Sequence, residues 1–148
     1  MTTPHGTALP LLPCACANLR RAARIVTRMY NQELRETGLE LTQFTLLMAL
    51  SLTGEITQGN LGELLALDTT SLTRMLRLMT KRRLIGVKAG DDRRQRLLRL
   101  TPSGRQKLQE SWPHWERAQN RLRGSLGEPN WSQIGGLLGE VAGAALRA

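Results

Sequence analysis

Residues 57–83 read Thr57-Gln58-Gly59-Asn60-Leu61-Gly62-Glu63-Leu64-Leu65-Ala66-Leu67-Asp68-Thr69-Thr70-Ser71-Leu72-Thr73-Arg74-Met75-Leu76-Arg77-Leu78-Met79-Thr80-Lys81-Arg82-Arg83. Leu72, Met75, Leu76 and Met79 fall at i, i+3, i+4 and i+7, the spacing of one buried helical face. Thr70, Ser71, Thr73, Arg74 and Arg77 are left to face elsewhere. Upstream, Thr57 to Ala66 predicts a shorter helix with Leu61, Leu64 and Leu65 inward, and Leu67-Asp68-Thr69 is a tight connection between the two. Two short helices a few residues apart, the second presenting small polar and arginine side chains, form the helix-turn-helix pattern.

Working outward, Leu84-Ile85-Gly86-Val87-Lys88 and Arg96-Leu97-Leu98-Arg99-Leu100 flank a Gly/Asp-rich turn, the signature of a β-hairpin with a charged tip. Thr101-Pro102 then opens a further helix, Thr as N-cap and Pro at the first position. It passes Leu108, Trp112 and Trp115 towards Leu122, with a kink expected at Pro113. Before the central stretch, Thr42 is a plausible N-cap for a helix through Phe44, Leu46, Leu47, Leu50 and Leu52, apolar all round and therefore central. The first helix runs from Cys14 to about Arg35, with Arg20, Arg24 and Arg28 on the stripe opposite its apolar face, and Gly38 is its stop signal. Asn130 and Gln133 suggest a capping box for a last helix carrying Ile134, Leu137, Leu138 and Val141. The fold class is mainly α with a small β-hairpin wing. Residues 1–13 are expected to be disordered and 14–148 to form a single domain.

Charge points to the partner. The 148 residues carry a formal net charge of +9. Residues 69–107 hold twelve Lys/Arg against Asp91 and Asp92, so this stretch is +10 and the rest of the chain −1. A basic stripe this concentrated is the electrostatic footprint of phosphate binding, although solvated basic faces also occur. An anionic membrane surface would suit the charge but not its interruption by a hairpin. No apolar run nears the roughly 18 residues that span a bilayer, and the N-terminus lacks the basic and apolar regions of a secretory signal.

Chemistry is sparse. No nucleophile–base constellation or phosphate-cradling glycine loop is evident, so an enzyme is not expected. Cys14 and Cys16, one residue apart, make no disulfide framework and have no third ligand; no metal or cofactor is expected, and the compartment reads as reducing and cytoplasmic. A CxC pair near Arg20 and Arg21 is either a thiol or soft-metal sensor or two small apolar residues.

The order of elements resembles the MarR family of bacterial regulators. The resemblance rests on Leu41-Thr42-Gln43-Phe44, Leu61-Gly62-Glu63-Leu64-Leu65, Asp68-Thr69-Thr70-Ser71-Leu72-Thr73-Arg74, Leu84-Ile85, Asp92-Arg93-Arg94 and Leu100-Thr101-Pro102-Ser103-Gly104. It implies a winged helix-turn-helix lobe at 42–101, dimerisation helices at 14–36 and 102–148, and a homodimer on a pseudo-palindromic double-stranded DNA operator. The function expected is sequence-specific transcriptional regulation, as a repressor released by a small-molecule or thiol-directed signal. An RNA-binding or ribosome-associated winged helix is the alternative, disfavoured because the basic segment has no aromatic on which a base could stack. Ser71, Thr73, Arg74 and Thr70 are the candidates for base edges. Thr57, Gln58, Thr69, Arg77 and Lys88 are candidates for phosphates. Arg93 and Arg94 at the wing tip suit a minor groove. Asp92 either orients a tip arginine, as the resemblance implies, or is simple turn chemistry. Trp112, His114 and Trp115 either line an effector pocket for a small aromatic anion or are plain core. Two positions depart from the family's pattern. Arg83 stands where it usually has Gly, so the recognition helix is expected to end without that left-handed residue. Gly86 stands where a charged residue is common.

Overall fold

The computed structural model describes residues 9–148. Its elements are α1 (Ala15–Leu34), a 3-10 turn at Arg35–Thr37, α2 (Leu41–Thr53), β1 (Ile56–Thr57), α3 (Gln58–Leu65), α4 (Thr69–Lys81), β2 (Ile85–Ala89), β3 (Arg96–Leu100), α5 (Pro102–Leu126) and α6 (Glu128–Arg147). The chain is thus mainly helical with one small antiparallel sheet, as its patterning implies. β3 lies between β1 and β2, with Leu98 paired to Ile56 on one side and to Val87 on the other. The hairpin was legible; β1, two residues long, is too short for any alternation to show.

The core forms where α2 meets the helix-turn-helix, the sheet and α5. Phe44, Leu46, Leu47 and Leu50 of α2 are buried with Leu61, Leu72, Leu76, Met79, Ile85, Leu98, Leu100 and Leu108. Each such side chain removed from water contributes about 1.5–3 kcal/mol, so α2 is the post around which the lobe is built. The α4 stripe behaves as its spacing requires, with Leu72, Leu76 and Met79 buried and Met75 packed against the core. On α3 only Leu61 is buried; Leu64, expected inward, is 56% exposed. An eight-residue helix has one face on the core, and Leu61 and Leu65 occupy it.

Several boundaries differ from the sequence expectation. Glu40 rather than Thr42 is the N-cap of α2: its side chain takes the Gln43 N–H while the Gln43 side chain returns to the Glu40 N–H. α6 begins at Glu128, and Asn130 lies inside its first turn, donating to the Leu126 carbonyl. Thr101 caps α5 as expected, accepting from Gly104 N–H, with Pro102 following. Pro113 stands inside a helix that continues to Leu126. Arg83 ends α4 in the left-handed conformation, φ 61°. The Leu84 N–H reaches the Met79 carbonyl and the Arg83 N–H reaches Thr80, a Schellman closure. The helix therefore stops in the manner of the family's glycine, with arginine bearing the strain. Ala66 repeats the device in the turn between α3 and α4, at φ 50°.

Outside the lobe, α1 packs along α5, held by Tyr30 to Gln119 and by Glu33 between Arg117 and Arg121. Burial raises the Tyr30 hydroxyl's pKa. α6 contributes no buried residue, and Leu137, Leu138, Val141 and Leu146 are exposed. Of the segment expected to be disordered, residues 9–13 are described. The Leu12 backbone is bracketed by Asn18 through two hydrogen bonds, and Arg21 donates to the Pro10 carbonyl. Residues 1–8 lie outside the described part.

Candidate nucleic-acid interface

α4 is capped by Asp68, whose carboxylate accepts the Ser71 N–H at 2.9 Å and the Ser71 hydroxyl at 2.7 Å. The Ser71 hydroxyl, followed by its N–H, holds the Asp68 carboxyl below the ordinary carboxylate range. Ser71 is thereby fixed as part of the cap: its proton is committed and only its lone pairs face outward. The polar face of α4 lies opposite the Leu72–Leu76–Met79 stripe. Thr69, Thr70, Thr73, Arg74 and Arg77, all exposed, line one shallow concavity of about 380 Å³. No acidic side chain lines it. Five of the residues singled out from sequence are thus brought together on one surface.

α3 is set beside this face by the turn at Ala66 and by a side-chain bond, Gln58 Nε2 donating to Thr73 Oγ1 at 2.9 Å. Thr57, the N-cap of α3, accepts the Asn60 N–H and keeps its own hydroxyl proton for another acceptor. β1 ties this end of α3 to the sheet, because Thr57 pairs with Leu97 of β3.

The wing is closed by Gly90 N–H to the Gln95 carbonyl and Gln95 N–H to the Asp92 carbonyl. Asp92 Oδ1 accepts the Arg94 N–H at 3.1 Å, and among the described residues it makes no ion pair with an arginine. In this structure the Asp92 carboxylate serves the turn. Arg93 and Arg94 are exposed at the tip. Lys88, on β2, pairs with Glu55 at 3.3 Å, both half-exposed. An exposed pair of this kind is worth little and is readily exchanged for a phosphate. The three pairings that set this surface, Ser71–Asp68, Gln58–Thr73 and Lys88–Glu55, were not read from sequence. Only the first is local enough to leave a signal, as an Asp N-cap three residues before a serine.

The remaining candidates sit elsewhere. Trp112 and Trp115 are joined to Phe44 in one aromatic cluster, with ring centroids 4.9–6.0 Å apart. Trp115 packs on the core, whereas Trp112 is 37% exposed and donates to Glu116. His114 Nδ1 lies 2.9 Å from the Glu33 carbonyl and 2.7 Å from Arg117. Cys14 and Cys16 are free and exposed, Cys14 at the N-cap of α1. Arg21 is engaged with the chain at Pro10 rather than with either thiol. Among the described residues no three His, Cys, Asp or Glu side chains gather as a metal site, and no helix is long and apolar enough to cross a membrane.

The sequence profile of the MarR family matches residues 37–95, from the end of α1's 3-10 turn to the wing. The chain is 37% identical to the Mycobacterium tuberculosis transcriptional regulator MosR, solved in complex with DNA. That alignment covers 89% of this chain and 98% of MosR, with a TM-score of 0.77. This chain belongs to the MarR family. It is a winged helix-turn-helix transcriptional regulator, with α3 and α4 as the helix-turn-helix and β2–β3 as the wing. Two further likenesses agree with the MarR assignment. Bordetella bronchiseptica BpsR, whose DNA binding is regulated by 6-hydroxynicotinic acid, is 26% identical over 90% of this chain and 97% of its own, TM-score 0.80. The uncharacterised HTH-type regulator YwoH of Bacillus subtilis is 25% identical over 92 residues, 62% of this chain and 67% of YwoH.

Proposed function

We propose that a homodimer of this chain binds a pseudo-palindromic duplex operator in the cytoplasm and represses the genes beside it. The observation that carries the reading is the outward face of α4: hydroxyls and two arginines on one concave surface free of acids, flanked by a basic wing. Arg74 and Thr73, with Thr70 and the lone pairs of Ser71, read base edges. An arginine fork matches guanine O6 and N7, and one such pair discriminates by about 1–3 kcal/mol. Thr57, Gln58, Thr69, Arg77 and Lys88 hold phosphates and set register. Arg93 and Arg94 enter the minor groove, where Asp92 acts by holding the turn that carries them. The lobe at 42–101 reads DNA, and 14–36 with 102–148 join the protomers; the exposed apolar side chains of α1 and α6 support that division.

Release comes from a signal that changes the spacing of the two α4 helices. A small aromatic acid is the favoured signal, by analogy with BpsR and its 6-hydroxynicotinic acid. Thiol chemistry at Cys14 and Cys16 is the second route, supported by their exposure at the start of α1. We read the chain as a binding protein rather than an enzyme.

In vitro selection from a random duplex library tests the function. The expected winner is an inverted repeat with half-site centres about one helical turn apart, the spacing of two recognition helices in successive major grooves. Enrichment of single-stranded RNA in a parallel selection, with no duplex winner, would overturn it.

A further inference from the structure

The turn between α1 and α2 is gripped from two sides. Gly38 closes it in the left-handed conformation, φ 74°, which glycine adopts without steric cost. Within the turn the Thr37 hydroxyl donates to the Leu34 carbonyl and accepts the Leu39 N–H, and the Gly38 N–H reaches the Arg35 carbonyl. The Thr37 and Gly38 carbonyls each meet a cation from another element. Lys107, in the second turn of α5, donates to the Thr37 carbonyl at 3.3 Å. Arg82, the C-cap of α4, donates from Nη1 to the Gly38 carbonyl at 3.2 Å. Its guanidinium lies alongside Gly38, with Nη2 3.6 Å from where a Cβ would sit.

The recognition helix has few other fastenings to the helices outside its lobe. Its backbone neighbours are chiefly α3 and β2. At its exit Thr101 binds the Arg83 and Leu84 carbonyls, but that tie ends at the base of the wing, where β3 passes into α5. Among the described residues Arg82 makes the one hydrogen bond that runs from α4 or its cap to the α1–α2 turn. A charged donor strengthens such a bond, and Arg82 is half-buried rather than exposed. It does not line the concave face of Thr69, Thr70, Thr73, Arg74 and Arg77.

We propose that Arg82 is a positioning residue for DNA recognition. It fixes the tilt of α4 against α1 and α5 without itself reading a base. Lys107 holds the same turn from α5, so α4, the turn and α5 move together. In a dimer that tilt sets the separation of the two α4 helices, and so the half-site spacing they accept. The inference rests on the dimeric, operator-reading function proposed above. Without the clamp α4 rocks about its remaining tie at Thr101, and the pair of helices tolerates more than one spacing.

The test is competition anisotropy of the full-length protein on its selected duplex and on duplexes with the half-sites one base pair closer or farther, a shift of about 3.4 Å along the axis. A third set keeps the spacing and carries base mismatches. The wild type is expected to prefer the selected spacing. Arg82→Gln should lower that preference about fivefold, the order that one lost hydrogen bond supports, and leave discrimination against mismatched bases unchanged. Arg82→Lys, which keeps a charged donor on a differently shaped head, should fall between the two. Lys81→Gln removes the same charge from the exposed neighbouring position; it should keep the spacing preference whatever it does to overall affinity. A merely structural loss lowers the active fraction and moves neither ratio. Circular dichroism checks that each variant is folded, and Arg82→Lys carries the test if Arg82→Gln is not. Spacing preference unchanged in the folded Arg82 variants overturns the proposal. So does loss of base discrimination in step with spacing preference, which would make Arg82 a reading residue. A wild type indifferent to spacing fails at an earlier step: it overturns the dimeric operator reading, and this inference with it.

Discussion

At the scale of single residues, two kinds of constraint separate cleanly. Gly104 is purely structural. A Cβ there would lie 2.0 Å from the Leu84 carbonyl oxygen, because α5 starts pressed against the exit of α4. Backbone cannot retreat as a side chain can, so Gly104→Ala is expected to cost about 3 kcal/mol or more, the upper end of overpacking; a urea titration followed by circular dichroism measures it. Arg74 and Lys88 are by contrast exposed, outside the core, and the proposed function gives each a role on DNA. Arg74→Ala is expected to lose selectivity, by about 1–3 kcal/mol against mismatched sites. Lys88→Ala should weaken every duplex about equally, because a phosphate contact carries no sequence information. Competition binding against mismatched duplexes distinguishes the two. The face of α4 was legible because a 3.6-residue period assigns each side chain a direction. The engagement of Ser71 by Asp68, and of Lys88 by Glu55 across 33 residues of sequence, was not, because periodicity carries no information about which polar groups meet.

At the scale of elements, the helix-turn-helix is built from two left-handed stops that sequence does not advertise. Ala66 and Arg83 are neither Gly nor Asn, yet both take positive φ, a conformation costing a non-glycine residue about 1–2 kcal/mol. They hold it because the closing hydrogen bonds, Leu67 to Gly62 and Leu84 to Met79, fix the angle between consecutive elements. Ala66→Gly removes the strain without touching any side-chain contact of note. Glycine's greater freedom in the unfolded chain offsets part of the gain, so a net stabilisation of about 0.5–1 kcal/mol is expected in the same urea assay. Hidden stops of this kind, with the two-residue β1, are the part of the fold that patterning missed. The cap at Thr101 was read because a short oxygen-bearing side chain before an apolar period has one common use, whereas the caps at Thr57 and Asp68 were passed over as a helix start and a turn. The true cap of α2, Glu40, was passed over for Thr42 because glutamate seldom serves there.

At the scale of the whole molecule, one chain leaves its first and last helices unfinished. α6 carries Leu137, Leu138 and Val141 exposed and buries nothing, while Leu19 and Ile25 of α1 are exposed across a neighbouring apolar hollow of about 640 Å³. Removing residues 128–148 is expected to abolish the dimer, leaving monomer or aggregate in sedimentation velocity; a truncated chain that sediments as a stable dimer would place the interface elsewhere. The dimer matters because it doubles the cationic contacts brought to one duplex. Arg77, Lys88, Arg93 and Arg94 of two protomers present eight charges, and released counterions give a slope of about −0.9 per phosphate neutralised. The most direct test of the central claim is therefore fluorescence anisotropy of the full-length protein on its selected duplex over a salt series. The account expects log K to fall linearly with log salt at a slope of about −7. A slope near zero, or equal affinity for selected and scrambled duplexes at every salt, would contradict it.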